Sequence, residues 1–225
     1  MNTDIFNTII LAVSFLALFG AAELLYHKLK VKVELTRKLV HVGTGLITLL
    51  FPVMLSSHWF ALLLCSSFAV ILIASLKFDL LKSINAIERE SVGSIAYPVS
   101  VYGCYLAFDH FNHQHIYFYL PILILAICDP VAALTGKKWP IGKYKVGKDN
   151  KTMMGSGMFF LTALTLILIL SAFTGTEEVT IKTFVWAGII AFNSAVTEAL
   201  SRRGYDNITI PASVLLSMVV FGQLS

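Results

Sequence analysis

Charged residues are scarce in this sequence of 225 residues: Asp, Glu, Lys and Arg make up 13% of it, whereas hydrophobic residues make up 57%. Soluble globular domains carry about a quarter charged residues. The shortage therefore excludes an ordinary soluble protein and predicts an integral membrane protein. The length allows one compact bundle and no separate soluble domain, so residues 1–225 are predicted to form a single domain.

Cysteine is also rare, and a basic leader segment is missing. Cys65, Cys104 and Cys128 lie in apolar runs at unrelated spacings, which excludes a disulfide framework or a zinc site and favours buried thiols. No basic segment precedes the first apolar run, residues 5–26, and the run is long enough to span a bilayer. It is therefore predicted to be a permanent helix and not a signal peptide.

Long apolar runs predict an all-α, polytopic bundle of about eight transmembrane helices. They are predicted at residues 5–26, 39–55, 59–76, 94–108, 116–134, 154–173, 184–200 and 208–224. All of the 17 Lys and Arg residues except Lys182 then fall in alternate loops, on one side. Because cytoplasmic loops are rich in Lys and Arg, both termini are predicted to lie outside. The net charge of +4 does not indicate nucleic-acid binding, since the basic residues lie between spans.

Among the carboxylates in predicted spans, Asp129 lies in the fifth span and Glu198 at the end of the seventh. An ionisable group in a span costs about 2.5–3.5 kcal/mol even on the gentlest scales, so it usually marks a functional site. The predicted orientation places further polar residues at the same cytoplasmic depth: Glu23, Arg37, Lys38 and His41. His41 fits a site residue and a packed helix residue equally well. A site at this depth can meet a cytosolic nucleotide and a lipid head group together.

The loop of residues 136–151 combines glycines with six lysines, at positions 137, 138, 143, 145, 148 and 151. Glycines let backbone N–H groups approach a phosphate, and lysines neutralise it. A purely topological loop would explain the lysines, but not the glycines or Asp149-Asn150, so a phosphate site is predicted. The pattern G-x-x-x-x-G-K runs from Gly142 to Lys148 with Asp149 in the Ser/Thr position. No soluble strand–loop–helix unit surrounds it, which excludes a true P-loop.

Metal binding is expected at the carboxylates and not in the histidine-rich segment. Mg²⁺ takes one or two carboxylates plus phosphates and water, and Asp129 with Asp206 or Glu198 could supply them. The segment of residues 109–115 carries three histidines and one aspartate. It lies on the opposite, outer side, and a solvated loop is the preferred interpretation because ligand spacing alone is weak evidence.

Four segments within residues 37–211 carry a family resemblance. They are Arg37-Lys38-Leu39-Val40-His41-Val42-Gly43-Thr44-Gly45, Asp129-Pro130-Val131-Ala132-Ala133 with Gly136, Lys151-Thr152 with Gly155-Ser156, and Glu198 with Asp206-Asn207 and Pro211. In this order they resemble the polyprenol kinase family, which includes phytol, farnesol and dolichol kinases and the CTP-dependent eukaryotic diacylglycerol kinases. The family is related to CDP-diglyceride synthetase.

The resemblance implies a membrane phosphotransferase, a kinase that phosphorylates a lipid alcohol with CTP or another nucleoside triphosphate and Mg²⁺. The alcohol could be a polyprenol, another isoprenoid such as phytol, or diacylglycerol. Metal-binding residues would be Asp129, Asp206 and Glu198. Catalytic residues would be Asp129, Glu198 and His41, a carboxylate or the histidine orienting the lipid hydroxyl. Nucleotide-binding residues would be Arg37, Lys38, Gly136, Lys148, Lys151, Gly155, Ser156 and Asn207.

Two alternatives remain open. A cytidylyltransferase that makes a CDP-lipid would use similar residues, but the ending P-G-H-G-G followed by D-R, typical of that branch, is absent from the sequence. A small ion-coupled transporter would use Asp129 and Glu198 for the coupling ion, although such sites usually lie near mid-membrane on broken helices within repeats. The expected location is a prokaryotic cytoplasmic membrane, with the site facing the cytoplasm and membrane lipids around it. The sequence indicates no oligomeric state.

Overall fold

The computed structural model describes residues 3–85, 92–147, 149–174 and 180–222. Its helices, in chain order, are α1 (Thr3–His27), α2 (Val33–Thr48), α3 (Phe51–Met54), α4 (His58–Lys77), α5 (Lys82–Asn85), α6 (Gly93–His110), α7 (Ile116–Leu123), α8 (Asp129–Lys138), α9 (Met153–Thr174), α10 (Ile181–Leu200) and α11 (Asp206–Gly222). A π-helical turn, Ile124–Cys128, joins α7 to α8. The continuous helix Ile116–Lys138 is called the central helix below.

Within the described residues, each of the eight apolar runs is largely helical, with a break between α2 and α3 in residues 39–55, which confirms the predicted all-α polytopic bundle. Among the described residues, six helical stretches are long and apolar enough to cross a membrane. They are Thr3–His27, Val33–Met54, His58–Lys77, Ile116–Lys138, Met153–Ala172 and Ile181–Leu200. The stretch Asp206–Val220 is a shorter apolar helix, so the number of about eight spans stays a prediction. Many large apolar side chains lie exposed on the outside of the bundle, as on a lipid-facing surface.

The lysine-rich loop contains a β-hairpin that the sequence did not indicate. Strand β1 (Lys143–Val146) pairs antiparallel with β2 (Asp149–Thr152), so that Val146 lies opposite Asp149. Gly147 follows β1 with a φ of +61°, a left-handed conformation that glycine adopts without strain. β1 alternates polar and apolar residues, but over only four positions, and β2 is polar throughout. An alternation this short is a weak sequence signal for a strand.

Buried side chains form two apolar cores on either side of the central helix. The first core joins α1, α2, α4 and α6 through residues such as Phe15, Val40 and Phe68. The second core joins α9, α10 and α11 through residues such as Phe159 and Ile190. The central helix contributes side chains to both cores. Both sets of helices are therefore fixed relative to the one helix that carries Asp129.

Two glycines bring α8 and α9 into close contact. A Cβ atom on Gly136 would lie 2.5 Å from Thr152 Oγ1 and 3.3 Å from Gly155 Cα. A Cβ atom on Gly155 would lie 2.9 Å from the carbonyl oxygen of Ala132. Small residues allow helices to approach in this way inside membranes. The crossing therefore fixes the end of the hairpin, and with it Lys151, against the helix that begins at Asp129.

Candidate active site

The first buried ion pair joins α2 to the start of α8. Lys38 Nζ donates to Asp129 Oδ2 at 2.6 Å. Asp129 is a charged residue in an apolar stretch of the chain, and it is buried. A buried carboxylate is tolerated when an opposite charge and hydrogen bonds compensate for its lost hydration. Lys38 is therefore the compensating partner of the buried Asp129 carboxylate.

His41 lies one turn along α2 from Lys38 and contacts the same carboxylate. Its Nε2 is 3.8 Å from Asp129 Oδ2 and 3.0 Å from the carbonyl oxygen of Leu125. A carbonyl oxygen can only accept, so Nε2 carries a hydrogen. In π-helical pairing the carbonyl of Leu125 would accept from the N–H five residues on, but that residue is Pro130, which has none. His41 thus replaces a missing backbone donor, and its ring is fixed beside Asp129.

The second buried ion pair joins the hairpin to α10. Lys151 Nζ donates to the Glu198 carboxylate and, at 2.5 Å, to the main-chain oxygen of Glu198. The other carboxylate oxygen, Oε2 of Glu198, is buried and has no hydrogen-bond partner within the described residues. An unpartnered buried carboxylate oxygen is costly. It is the feature expected of a group that receives a ligand.

Asp206, the first residue of α11, completes the acidic side of the cluster. Its carboxylate interacts electrostatically with Asp129, Glu198 and Lys151. Asn207 beside it donates its backbone N–H to Asp206 Oδ1 at 3.0 Å. The structure therefore brings together the three carboxylates that the sequence proposed as metal ligands. It also places the two lysines of the buried ion pairs among them.

Mg²⁺ suits these oxygen donors, provided that phosphate completes its coordination. Among the described residues, no group of three or more His, Cys, Asp or Glu side chains is arranged to hold a metal by itself. Mg²⁺ needs one or two carboxylates when it is shared with a substrate's phosphates. The free oxygen of Glu198 and the neighbouring Asp129 fit that requirement.

Other residues predicted to bind nucleotide have identified structural contacts. Gly136 and Gly155 allow the close crossing of α8 and α9. Ser156 Oγ shares a hydrogen bond of 2.7 Å with Tyr144 Oη of the hairpin. Asn207 Nδ2 donates to the carbonyl oxygen of Gly93 at 3.0 Å, which ties α11 to the start of α6. Direct contact of these residues with a nucleotide stays a prediction.

The basic residues fall into different environments. Arg37 acts electrostatically on His41 and so lies close to the cluster. Lys137 pairs with Glu34 at an exposed position, and Lys138 lies over the ring of Trp139 at 4.4 Å. Lys148 lies outside the described residues, so its predicted phosphate contact stays a prediction. Within the described part of the loop, Lys151 is the lysine whose ammonium group reaches the buried carboxylates.

Glu23 and the histidine-rich segment make contacts of their own. Glu23 Oε1 accepts from the backbone N–H of Ser83 at 2.8 Å, and its other oxygen is 3.0 Å from His27 Nε2. These contacts tie α1 to α5 and do not reach the Asp129 cluster. His113 Nδ1 lies 3.7 Å from Asp109 Oδ1 at an exposed position, in keeping with the solvated loop preferred for residues 109–115.

Two features of the site were missed by the sequence interpretation. One is the carbonyl oxygen of Leu125, which accepts a hydrogen bond from His41. Pro130 could have indicated it, because a proline has no backbone N–H to donate within a helix. The other is Tyr97, whose ring packs edge to face against His41 with ring centroids 5.3 Å apart. No pattern in the sequence linked the ring of Tyr97 to His41.

Comparison with known proteins gives a clear relative. The chain is 30% identical over 190 residues to a phytol kinase of Synechocystis sp., an alignment that covers 84% of this chain and 80% of the relative. No protein-family model matches the chain, and no solved structure matches it. The identity extends along most of both proteins. This chain belongs to the polyprenol kinase family.

Proposed function

We propose that this protein is a kinase that transfers the terminal phosphoryl group of CTP, or of another nucleoside triphosphate, to the hydroxyl group of a membrane lipid alcohol. The observation that carries the proposal is the pair of buried lysine–carboxylate contacts, Lys38 with Asp129 and Lys151 with Glu198. Phosphoryl transfer depends mostly on positioning and on neutralisation of phosphate charge. Lysines and carboxylates held together in an apolar bundle supply both requirements.

The lysines exchange partners when nucleotide binds. Phosphate oxygens of the nucleotide compete with Asp129 for Lys38 and with Glu198 for Lys151. Each carboxylate that loses its lysine can then bind a metal ion, together with the neighbouring Asp206. Bound Mg²⁺ would supply further neutralisation of the phosphate charge. The buried ion pairs therefore keep the charged groups compensated before substrate arrives.

The hydroxyl proton of the lipid has two possible acceptors in this arrangement. Asp129 is one, since its carboxylate lies among the lysines that would bind phosphate. His41 is the other, and because its Nε2–H is held by the carbonyl of Leu125, the acceptor would be Nδ1. Either residue orients the lipid oxygen, and catalysis by an acid or base of this kind contributes about 100- to 10,000-fold to rate.

The acceptor is proposed to be an alcohol with a long hydrocarbon tail, such as an isoprenoid alcohol or diacylglycerol. The relative from Synechocystis is named a phytol kinase, which supports an alcohol of this class. The apolar exterior of the bundle keeps the site next to membrane lipids. Such a site can take a substrate that never leaves the bilayer.

We place the site on the cytoplasmic side of a prokaryotic cytoplasmic membrane, because the lysine-rich loops lie with it. The test is a cysteine at Lys145, an exposed hairpin residue. An impermeant thiol reagent should label Lys145→Cys in inverted vesicles and not in intact cells. The native cysteines are buried, so background labelling should be low. Labelling in intact cells would reverse the orientation and separate the site from cytosolic nucleotide.

The decisive experiment follows the phosphorus atoms of the donor. Purified protein is incubated with Mg²⁺, a panel of lipid alcohols or phosphatidate, and CTP labelled at either the γ or the α position. A kinase places the γ label in the lipid, whereas a cytidylyltransferase places the α label there. Parallel reactions with labelled ATP measure donor selectivity. If no label from CTP or ATP reaches any lipid and neither nucleotide is hydrolysed, the proposed function is wrong and the transporter alternative gains weight.

A further inference from the structure

An open groove runs along the outside of the bundle between α1, α4 and the segment that joins α4 to α5. Its volume of about 360 Å³ falls in the range of about 300–1,000 Å³ found for small-molecule sites. Leu16 and Leu80 are half exposed, so the groove opens to the surroundings of the bundle. Its apolar lining includes Leu16, Phe19, Gly20, Ile71, Leu80 and Leu81. On the surface of a membrane protein, a groove of this kind faces the hydrocarbon chains of lipids.

Hydrocarbon contact alone does not make the groove selective for one lipid. Lipid tails are as apolar as leucine, so a chain gains little when it leaves the bilayer for an apolar groove. Selectivity has to come from polar side chains, and Glu23 and Ser75 line the groove. Ser75 Oγ donates to the carbonyl oxygen of Leu72 and accepts from Asn85 Nδ2. Glu23 is therefore the lining residue that can select a head group.

The partners of the Glu23 carboxylate, within the part of the chain that the structure describes, are a backbone N–H and a histidine. Oε1 accepts from the N–H of Ser83 at 2.8 Å, and Oε2 is 3.0 Å from His27 Nε2. The side chain of His27 is 55% exposed, so another donor can take its place. An acidic side chain at membrane depth usually marks a functional site. Glu23 thus offers a position for an ammonium group at the wall of the groove.

Lysines lie beside the same end of the groove. Lys77 ends α4 and Lys82 begins α5, so both flank the segment whose leucines line the groove. Lys82 Nζ is 3.4 Å from Asp79 Oδ2, but both side chains are exposed. An exposed pair is weak, so Lys82 can exchange Asp79 for a phosphate. A carboxylate in the wall with ammonium groups beside it is complementary to a head group that carries an amine next to a phosphate.

The segment between α4 and α5 has a strained backbone. Asp79 and Leu81 have φ angles of +52° and +50°, in the left-handed region that favours glycine. Strain of this kind persists only where the surrounding structure imposes it, and it is frequent at ligand-binding sites. Here it accompanies the placement of Leu80 and Leu81 along the groove. The strained segment therefore shapes one wall of the groove.

We propose that this groove binds a membrane phospholipid whose head group carries a primary amine, as in phosphatidylethanolamine. Part of one acyl chain lies between α1 and α4, and the ammonium group donates to Glu23. The phosphate lies against Lys77 or Lys82. This lipid is a bound partner and not the alcohol that receives a phosphoryl group, so the inference does not depend on the kinase proposal.

Ser83 connects the groove to the helix that carries Lys38. Its backbone N–H donates to Glu23, and its carbonyl oxygen accepts from Thr36 Oγ1 at 2.6 Å. Thr36 lies two residues before Lys38 in α2. A lipid held at Glu23 therefore adjoins the same backbone group that fixes the first turns of α2.

Glu23→Gln tests the head-group contact. The amide keeps an oxygen that can accept from the N–H of Ser83, but it removes the negative charge. Purified full-length protein in detergent is titrated with radiolabelled phosphatidylethanolamine and with phosphatidylglycerol, which has the same chains and the phosphate but no amine. Wild type should bind the amine-bearing lipid about tenfold more tightly, because a hydrogen bond between charged groups contributes an effect of this order. Glu23→Gln should bind the two lipids equally.

Gly20→Leu tests the groove itself. A Cβ atom at Gly20 meets nothing within 4 Å, so the new side chain enters the groove, and leucine suits a helix better than glycine. The variant should weaken binding of both lipids about tenfold, an effect typical of one misplaced apolar group in a pocket. The matched control is Gly188→Leu on α10, where a Cβ atom also meets nothing within 4 Å and which does not line the groove. Ile71→Trp fills the groove from α4 and is the second variant if Gly20→Leu folds poorly.

The binding measurements decide the head group and the groove separately. If wild type binds phosphatidylglycerol as tightly as phosphatidylethanolamine, or if Glu23→Gln keeps the preference, the assignment of an amine-bearing head group is wrong. If Gly20→Leu and Ile71→Trp both bind lipid like Gly188→Leu, the groove is not the site. Selective binding by wild type without phosphorylation of any alcohol would refute the kinase proposal and leave the groove assignment standing.

Discussion

Lysine–carboxylate pairs occur both inside the bundle and on its basic surface, and their surroundings differ sharply. The side chains of Lys137 and Glu34 are 65% and 45% exposed, whereas those of Lys38 and Asp129 are 18% and 12% exposed. An exposed pair contributes about 0–1 kcal/mol to stability. A buried pair carries a desolvation cost of several kcal/mol, so it is weak evidence for stability alone. The comparison supports the proposal that the buried pairs belong to the active site, whereas the surface pair needs no such role.

The largest effect is expected for loss of a buried carboxylate charge. Asp129→Asn keeps the shape of the side chain but removes the charge that pairs with Lys38 and would bind Mg²⁺. Activity should fall about a thousandfold, because several kcal/mol of charge stabilisation is lost. Glu34→Gln is the surface control and should retain near-normal activity. Initial rates of lipid phosphorylation at saturating Mg²⁺ measure both, and a near-normal rate for Asp129→Asn would refute the assignment.

Asp129→Asn also leaves Lys38 buried without its partner, which costs stability. The double variant Asp129→Asn with Lys38→Gln removes both charges together. Its unfolding temperature should recover toward wild type, while its activity should stay low. Recovery of activity along with stability would mean that the charge of Asp129 matters for folding and not for catalysis.

The next largest effect distinguishes the lysines of the loop. Lys151→Gln removes the ammonium group beside Glu198 and should lower activity about a hundredfold. Lys137→Gln removes one half of the surface pair and should lower it less than about twofold. Lys148→Gln is expected to follow Lys151→Gln. Equal rates for Lys151→Gln and Lys137→Gln would show that the loop is a topological signal and nothing more.

A smaller effect, on stability first, is expected at the helix crossing that positions Lys151. Gly136→Ala places a methyl group 2.5 Å from Thr152 Oγ1 and 3.3 Å from Gly155 Cα, so Thr152 or the start of α9 must shift. Unfolding free energy should fall by about 1–3 kcal/mol, as for other overpacked sites. Gly157→Ala on α9 is the control, since a Cβ atom there meets nothing within 4 Å. Thermal unfolding in detergent compares the two variants. Equal stability would show that the close crossing of α8 and α9 does not help to form the site.

The smallest effect is expected at the exposed edge of the hairpin. Asp149 Oδ2 accepts from the backbone N–H of Arg203 at 2.8 Å, which ties the hairpin to the segment between α10 and α11. Asp149→Ala should lower stability by about 1 kcal/mol, the usual contribution of one hydrogen bond. Activity should change little, because the buried ion pairs remain. Asn150→Ala, beside it and exposed, serves as the control in the same unfolding measurement.

Hydropathy and charge distribution predicted much of this arrangement. Helices in a bilayer need long apolar runs, so their positions could be read from the sequence, although the break between α2 and α3 could not. The predicted orientation grouped Lys38, His41, Asp129 and Glu198 at one depth, and the structure confirms that these residues lie together. The depth of a residue in the membrane follows from its position along its own span, so it can be predicted from the sequence.

Lateral relationships required the structure. The lysines at 137 and 151 look equivalent in the sequence, yet one is exposed and the other reaches Glu198 because β2 turns it inward. Glu23 was predicted at the same depth, but it contacts His27 and Ser83 of α5 instead of the cluster. Glycines 136 and 155 were predicted to bind nucleotide, which stays a prediction, and the structure adds that they lie where α8 and α9 cross. The contacts of each of these residues depend on which helices pack side by side. A hydropathy profile does not contain that information.

His41 has a further consequence for how mutations at distant positions combine. Its Nε2–H serves the carbonyl that Pro130 leaves without a backbone donor, so any loss of His41 damages the central helix as well as the site. Pro130→Ala would restore a backbone N–H to that helix, so the carbonyl of Leu125 would no longer need the hydrogen bond from His41. The two positions are therefore epistatic. In the Pro130→Ala background, His41→Ala should no longer lower stability, because the helix has regained its backbone donor. The loss of catalytic activity caused by His41→Ala should remain.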